Sequence, residues 1–153
     1  AGIDTFRHFQ IASNQLTSPH VLFCPSDKKR VRARSEYPPD DEKYALDVAR
    51  IWAGLSNQHV SYFVNLDSQF NHPRSVLLGD ANVTNRGFNA QTWLVASSNN
   101  PPHWSRVQHS PAYQNLPEGN VAFADGSVYM ESPDSFTRRF DDLIAITNRL
   151  AVP

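Results

Sequence analysis

Gly119-Asn120-Val121-Ala122-Phe123-Ala124-Asp125-Gly126-Ser127-Val128-Tyr129-Met130-Glu131 is the stretch that decides the fold. Two strand-like runs flank Asp125-Gly126, and an Asp-Gly pair supplies the two positive φ angles that a two-residue hairpin turn requires. An antiparallel sheet follows from that hairpin. Working upstream, Val60-Ser61-Tyr62-Phe63-Val64-Asn65-Leu66 and Ser75-Val76-Leu77-Leu78-Gly79-Asp80 read as further strands, being dense in β-branched and aromatic residues or in continuous apolar residues. Trp93-Leu94-Val95 is the one strand expected inside the Asn-, Ser- and Pro-rich stretch from 81 to 118.

Helical spacing governs the flanks. Phe6, Phe9, Ala12, Ser13 and Leu16 fall three or four apart, which predicts an amphipathic helix over 4–17 with Asp4 as its cap. This helix begins almost at the first residue and reads as the trailing end of a longer rod. His20-Val21-Leu22-Phe23-Cys24 reads as a short apolar strand ended by the turn formers Pro25-Ser26-Asp27. Tyr44, Ala45, Val48, Ile51, Trp52 and Leu55 predict a second helix over 41–54, with Gly54 as its stop. Ser132-Pro133-Asp134 opens a terminal helix expected over 134–150, carrying Phe136, Phe140, Leu143, Ile144 and Thr147 on one stripe. No internal repeat or low-complexity tract interrupts the chain, so the expectation is one α+β domain spanning 1–153.

Composition bounds the function. A chain of 153 residues, 40% hydrophobic and 19% charged, is globular, and a domain of that size buries about 70% of the surface its unfolded chain exposes. With 14 Lys plus Arg against 15 Asp plus Glu, the net charge is -1. Nucleic-acid binding needs clustered cations to displace counterions, so no nucleic-acid partner is expected. The one basic run, Lys28 to Arg34, is followed by Asp40-Asp41-Glu42 and reads as a solvated loop. The single cysteine, Cys24, excludes an internal disulfide framework and a multi-cysteine zinc site. No run of eighteen apolar residues and no signal-peptide zoning is present, as expected of a cytosolic protein or of the soluble part of a longer one.

Catalytic readings are thin. Leu78-Gly79-Asp80-Ala81-Asn82 has the Gly-Asp element of two-metal phosphoesterases. Those enzymes also need Asp-x-His upstream and Gly-Asn-His downstream, and here Gly119-Asn120 is followed by Val121. The histidines at 8, 20, 59, 72, 103 and 109 include no pair three to five residues apart, so a helix-borne zinc site has no support. No Gly-x-Ser-x-Gly elbow places a serine on a strained turn. Cys24, with His20 four residues earlier on the expected strand, reads as a core residue before Pro25. Asp67, Asp80, Asn82 and Asp125 all fall at strand ends, where oxygen ligands for calcium could converge. Turn and strand-end roles explain the same four residues and take the larger share, so no cofactor is expected beyond that calcium alternative.

The order of these segments is specific where each alone is short. Phe6 to Leu16, then Val21-Leu22-Phe23-Cys24-Pro25-Ser26-Asp27, Val60-Ser61-Tyr62-Phe63-Val64, Leu77-Leu78-Gly79-Asp80-Ala81-Asn82, and His109 followed by Gly119 to Val128, resembles the bacterial pseudopilin-type proteins with a prepilin N-terminal methylation segment, common in Verrucomicrobia and their relatives. A histidine upstream of an Asp-Gly hairpin near the C-terminus recurs in that family. The resemblance implies a type IV pilin-like fold, with an N-terminal helix packed on an antiparallel sheet and additional helices here, including one at the C-terminus. It implies a structural subunit without enzymatic activity, serving a type II secretion or type IV pilus-like assembly. Its implied partners are other pilin or pseudopilin subunits and the secretion or pilus machinery. Membrane contact would come only through an N-terminal helix upstream of this sequence, placing the domain on the periplasmic or extracellular face.

On that reading His109, Gly119, Asn120, Asp125 and Gly126 are structural, fixing a hairpin and the loop folded over it. Trp93, Trp104, Pro101 and Pro102 are the candidates for partner contact, since aromatics on irregular loops often anchor interfaces; for Trp93, in its apolar run, burial in the core is the preferred expectation. Two alternatives stand beside this one. The same fold could serve as an extracellular binding module reading its ligand through 85–118, or as a metal-dependent hydrolase using Asp80, Asn82, His109 and Asp125.

Overall fold

The computed structural model describes residues 3–36, 38–89, 93–105, 117–141 and 147–153. They fall into two compact units, one built on Tyr62–Val152 and the other on Asp4–Ser61 with Pro153. His109, Leu143 and Ile144 lie outside the described residues.

The larger unit is a six-stranded, wholly antiparallel sheet with a helix of its own, which makes the fold class α+β as the sequence predicts. Its strands are β1 (Tyr62–Asn65), β2 (Val76–Asp80), β4 (Leu94–Ala96), β6 (Gly119–Phe123), β7 (Val128–Glu131) and β8 (Asn148–Ala151), in the order β4-β8-β1-β2-β6-β7. β3 (Val83–Thr84) and β5 (His103–Trp104) form a separate two-stranded ribbon, which corrects the expectation of a single strand within 81–118. Antiparallel register sets Phe63 opposite Gly79, and Gly79 opposite Val121. One extra residue in β2 shifts its pairing with β6 between Val76 and Leu78, a bulge that returns Val76, Gly79 and Asp80 to buried positions.

The decisive hairpin forms, with a different turn. Phe123 N–H bonds to Ser127 O and Gly126 N–H bonds to Phe123 O, so the loop is the three residues Ala124, Asp125 and Gly126. Only Gly126 has a positive φ, +84°. This is a type I turn followed by a left-handed glycine, the second common solution for a hairpin. Asp125 spans it by accepting from Ser127 N–H at 2.9 Å and Ser127 Oγ at 2.6 Å.

Helix α4 (Pro133–Asp141) starts as expected, with Pro at its first position and Ser132 Oγ accepting from Ser135 N–H. It supplies Phe136 and Phe140 to the core beside Phe63, Leu94, Trp104, Val121 and Leu150. Full burial of two such rings is worth about 1.5–3 kcal/mol each. The expected helix over 134–150 is corrected at its end, because 148–151 is strand β8, inserted between β1 and β4. Leu150 and Ala151 are buried there, and a short apolar run cannot be told from a helix end by periodicity alone.

In the smaller unit, the expected helix over 4–17 divides into α1 (Phe6–Ile11) and α2 (Ser13–Leu16). Ala12 leaves helical geometry with ψ 8°, and Thr17 takes φ 56°. Ile11 is exposed and only Phe9 of α1 is buried, so no continuous apolar stripe holds the two pieces in one rod. Asp4 makes no cap through its side chain and pairs with Arg7 at 3.0 Å. Within this unit Phe6 N–H bonds to Asn57 Oδ1, and Gln10 Nε2 donates to Trp52 O at 2.7 Å, tying α1 to α3 (Tyr44–Ala53) and the turn after it. The expected strand over 20–24 is instead a 3₁₀ turn, Pro19–Leu22, led by Pro19 with Ser18 accepting from His20 N–H. His20 and Cys24 therefore do not share a strand face.

Candidate functional site

Two glycine-led dipeptides, Gly79-Asp80 on β2 and Gly119-Asn120 on β6, meet across the sheet. A Cβ on Gly79 would stand 2.7 Å from Phe63 Cε1 and 2.9 Å from Asn120 O, and one on Gly119 would stand 2.7 Å from Trp104 Cη2. Backbone and ring atoms occupy the space a side chain would need, so both positions require glycine. The Asp80 carboxylate accepts from the backbone N–H of Asn120 and from its side-chain amide at 3.2 Å. Asn82 donates to Glu118 O at 3.1 Å, and Trp104 Nε1–H donates to Glu131 O at 2.9 Å. Asp80, Asn82 and Trp104 each bond to backbone across this seam.

That geometry keeps Asp80 and Asn82 in one seam and sets the other two residues considered for calcium, Asp67 and Asp125, apart from it. Asp80, opposite Tyr62, lies at one end of the β1–β2 pair, and Asp67 follows Asn65 at the other. Asp67 is held by Arg149, which donates from its backbone N–H at 2.7 Å and from its guanidinium at 2.6 Å. These hydrogen bonds keep the Asp67 carboxyl below its ordinary range. Asp125 lies in the turn beyond the end of β6, which runs on from Asn120 to Phe123, roughly 10 Å of strand. Its carboxyl is lowered by the Ser127 hydroxyl and N–H. Among the described residues no group of three or more His, Cys, Asp and Glu could hold a metal ion.

The tryptophans exchange their expected roles. Trp104, a candidate for partner contact, is 4% exposed, with its indole stacked on Phe136 at 4.0 Å between centroids and 14° between planes. It is core, because α4 lays Phe136 flat on the β5 strand that carries it. Trp93 is 38% exposed, at the start of the outer strand β4. Pro102 is buried and accepts from Thr137 Oγ1, while Pro101 is half-buried.

Sequence spacing gave no sign of a pocket beside the hairpin. Arg74, Phe123, Asp125, Ser127, Tyr129 and Arg139 line an open hollow of about 240 Å³. Arg139 lies over the Phe123 ring at 5.1 Å and pairs with Glu131 at 2.8 Å. Arg74, reached from the β1–β2 connection, is exposed and makes no ion pair among the described residues. Only the three-dimensional sheet brings residue 74 to the hairpin, through hydrogen bonds from Ala124 N–H to Ser75 O and from Asp125 N–H to Pro73 O.

No protein-family model matches the chain, and neither a curated protein nor a solved structure matches it. No helix among the described residues is long and apolar enough to cross a membrane.

Proposed function

We propose that this chain is the globular domain of a pilin-like structural subunit, of the pseudopilin kind, in a type II secretion or type IV pilus-like assembly. Such a subunit polymerises through an apolar N-terminal helix that exchanges bilayer for filament core, and it presents its globular domain outward. The observation that carries the reading is the use made of Gly79-Asp80, Gly119-Asn120 and Asp125-Gly126. These dipeptides are the most motif-like in the sequence, and each is spent on holding backbone: two close approaches, a buried carboxylate bonded to Asn120, and a turn. Asp80 is 0% exposed, a position suited to support rather than to chemistry on a substrate. The antiparallel sheet closed by an Asp-Gly hairpin near one edge supports a pilin-like fold on the same grounds.

The residues encoded upstream of Ala1 test it. A pilin-like subunit requires an apolar run of about 20 residues after a short basic leader. Finding a hydrophilic region or another folded domain there would leave the binding-module and metal-dependent hydrolase alternatives, of which the exposed Trp93 and the outer face of the hairpin favour the first.

A further inference from the structure

β7 ends the sheet, and its outer side is open among the described residues. Phe123 N–H bonds to Ser127 O, and bonded pairs in an antiparallel ladder recur at every second residue. Val121–Tyr129 and Gly119–Glu131 are therefore the bonded pairs, and the N–H and C=O groups of Val128 and Met130 point away from β6. The side chains agree with that openness. Val128, Tyr129 and Met130 are 62%, 54% and 59% exposed, three consecutive apolar residues on an edge without lysine, proline or bulge to discourage pairing. Beside them, on the face that carries Tyr129, lies the hollow lined by Arg74 and Arg139.

We propose that this edge accepts an extended strand from a partner protein, by β-augmentation, with one acidic side chain of that strand seated in the hollow. Backbone groups of Val128 and Met130 supply the pairing, and the apolar side chains take alternate residues of the incoming strand. Charge chooses the occupant. Arg139 is already matched by Glu131, and Asp125 is bonded to Ser127 of its own loop, which leaves Arg74 as the lining cation of the hollow without an ion pair among the described residues. A carboxylate on the residue opposite Tyr129 would face it. A second copy pairing through its own β7 would set against Tyr129 either Tyr129, with Val128 opposite Met130, or, with Met130 opposite Met130, a Glu131 that is buried and already paired with Arg139. The inference goes beyond the pilin-like reading and does not depend on it.

Two synthetic peptides of sequence Thr-Thr-Val-Xaa-Val-Thr-Thr, with Glu or Lys at the centre, test the proposal by fluorescence polarisation against the whole chain. The Glu peptide is expected to bind about tenfold more tightly than the Lys peptide. Met130→Pro removes an outward N–H while leaving the β6 ladder its bonds, and it should abolish binding. Val128→Lys serves the same purpose if the proline variant does not fold, and Arg74→Glu should reverse the charge preference. Three results would overturn the proposal: neither peptide binding at about 1 mM, binding unchanged by both edge variants, or light scattering showing a dimer that Val128→Lys dissolves, which would make a second copy the occupant.

Discussion

Gly119 lies beneath the indole of Trp104, so close that a Cβ on the glycine would fall 2.7 Å from Cη2 of the ring. The ring cannot retreat, because Phe136 is stacked on it at 4.0 Å and its Nε1–H is held by Glu131 O. Gly119→Ala should therefore destabilise the protein by about 1–3 kcal/mol, the usual penalty for overfilling a packed core. Urea denaturation followed by tryptophan fluorescence measures it. Gly87→Ala is the control: its φ is +82° with nothing within 4 Å, so only backbone strain is added, about 1 kcal/mol.

Asp80 and Asn120 give a second test. Asp80→Ala leaves the Asn120 N–H without its carboxylate acceptor, and the loss expected for a stranded buried donor is about 1–3 kcal/mol. Asp80→Asn keeps an acceptor oxygen in place and should lose less. Equal losses in the two variants, read from denaturant midpoints, would show that the hydrogen bond to Asn120 contributes nothing.

The hairpin turn makes its own demand. Gly126 has a positive φ, which Asn tolerates better than Ala, and both better than a β-branched residue. Stability should fall in the order Gly, Asn, Ala, Val at 126, with Gly126→Ala about 1 kcal/mol below the parent. Thermal melts of the three variants check the order.

How far the sequence led is clear from the same residues. The hairpin, β1, β2, β4, α3 and the start of α4 were legible because each rests on local signals: an Asp-Gly pair, β-branched density, helical spacing, Pro after Ser132. The turn type was not, since Asp-Gly suits both a two-residue turn and a type I turn closed by a glycine. β8 was missed because its partners, Asn65 and Leu94, lie far away in sequence. The split of α1 from α2 was missed because helical spacing alone does not show that Ile11 is exposed. Trp104 and Trp93 were exchanged for a related reason, as burial here depends on where α4 comes to rest. At the candidate site, the structural role expected of Gly119, Asn120, Asp125 and Gly126, and of His109 outside the described residues, rests on the family resemblance, while Arg74 and Arg139 enter only once the sheet brings them together.

Asp67 and Arg149 predict a dependence on pH. Arg149 lowers the Asp67 carboxyl, so its folded value lies below the unfolded one of about 3.9. A depressed carboxyl contributes stability that is present above the unfolded value and lost as pH falls through the folded one. Asp67→Asn should thus lower the thermal midpoint by a few degrees at neutral pH, with the gap between parent and variant closing in acid. A gap that stays constant down to about pH 2 would exclude this pair as its source.

The central claim, that the domain is the outer part of a pilin-like subunit, is tested most directly by mass spectrometry of the mature N-terminus in protein taken from the membranes of cells that make it. The account predicts a processed, methylated first residue opening an apolar segment of about 20 residues that leads into Phe6–Ile11. A mature chain that is free in solution and carries no such segment would contradict it.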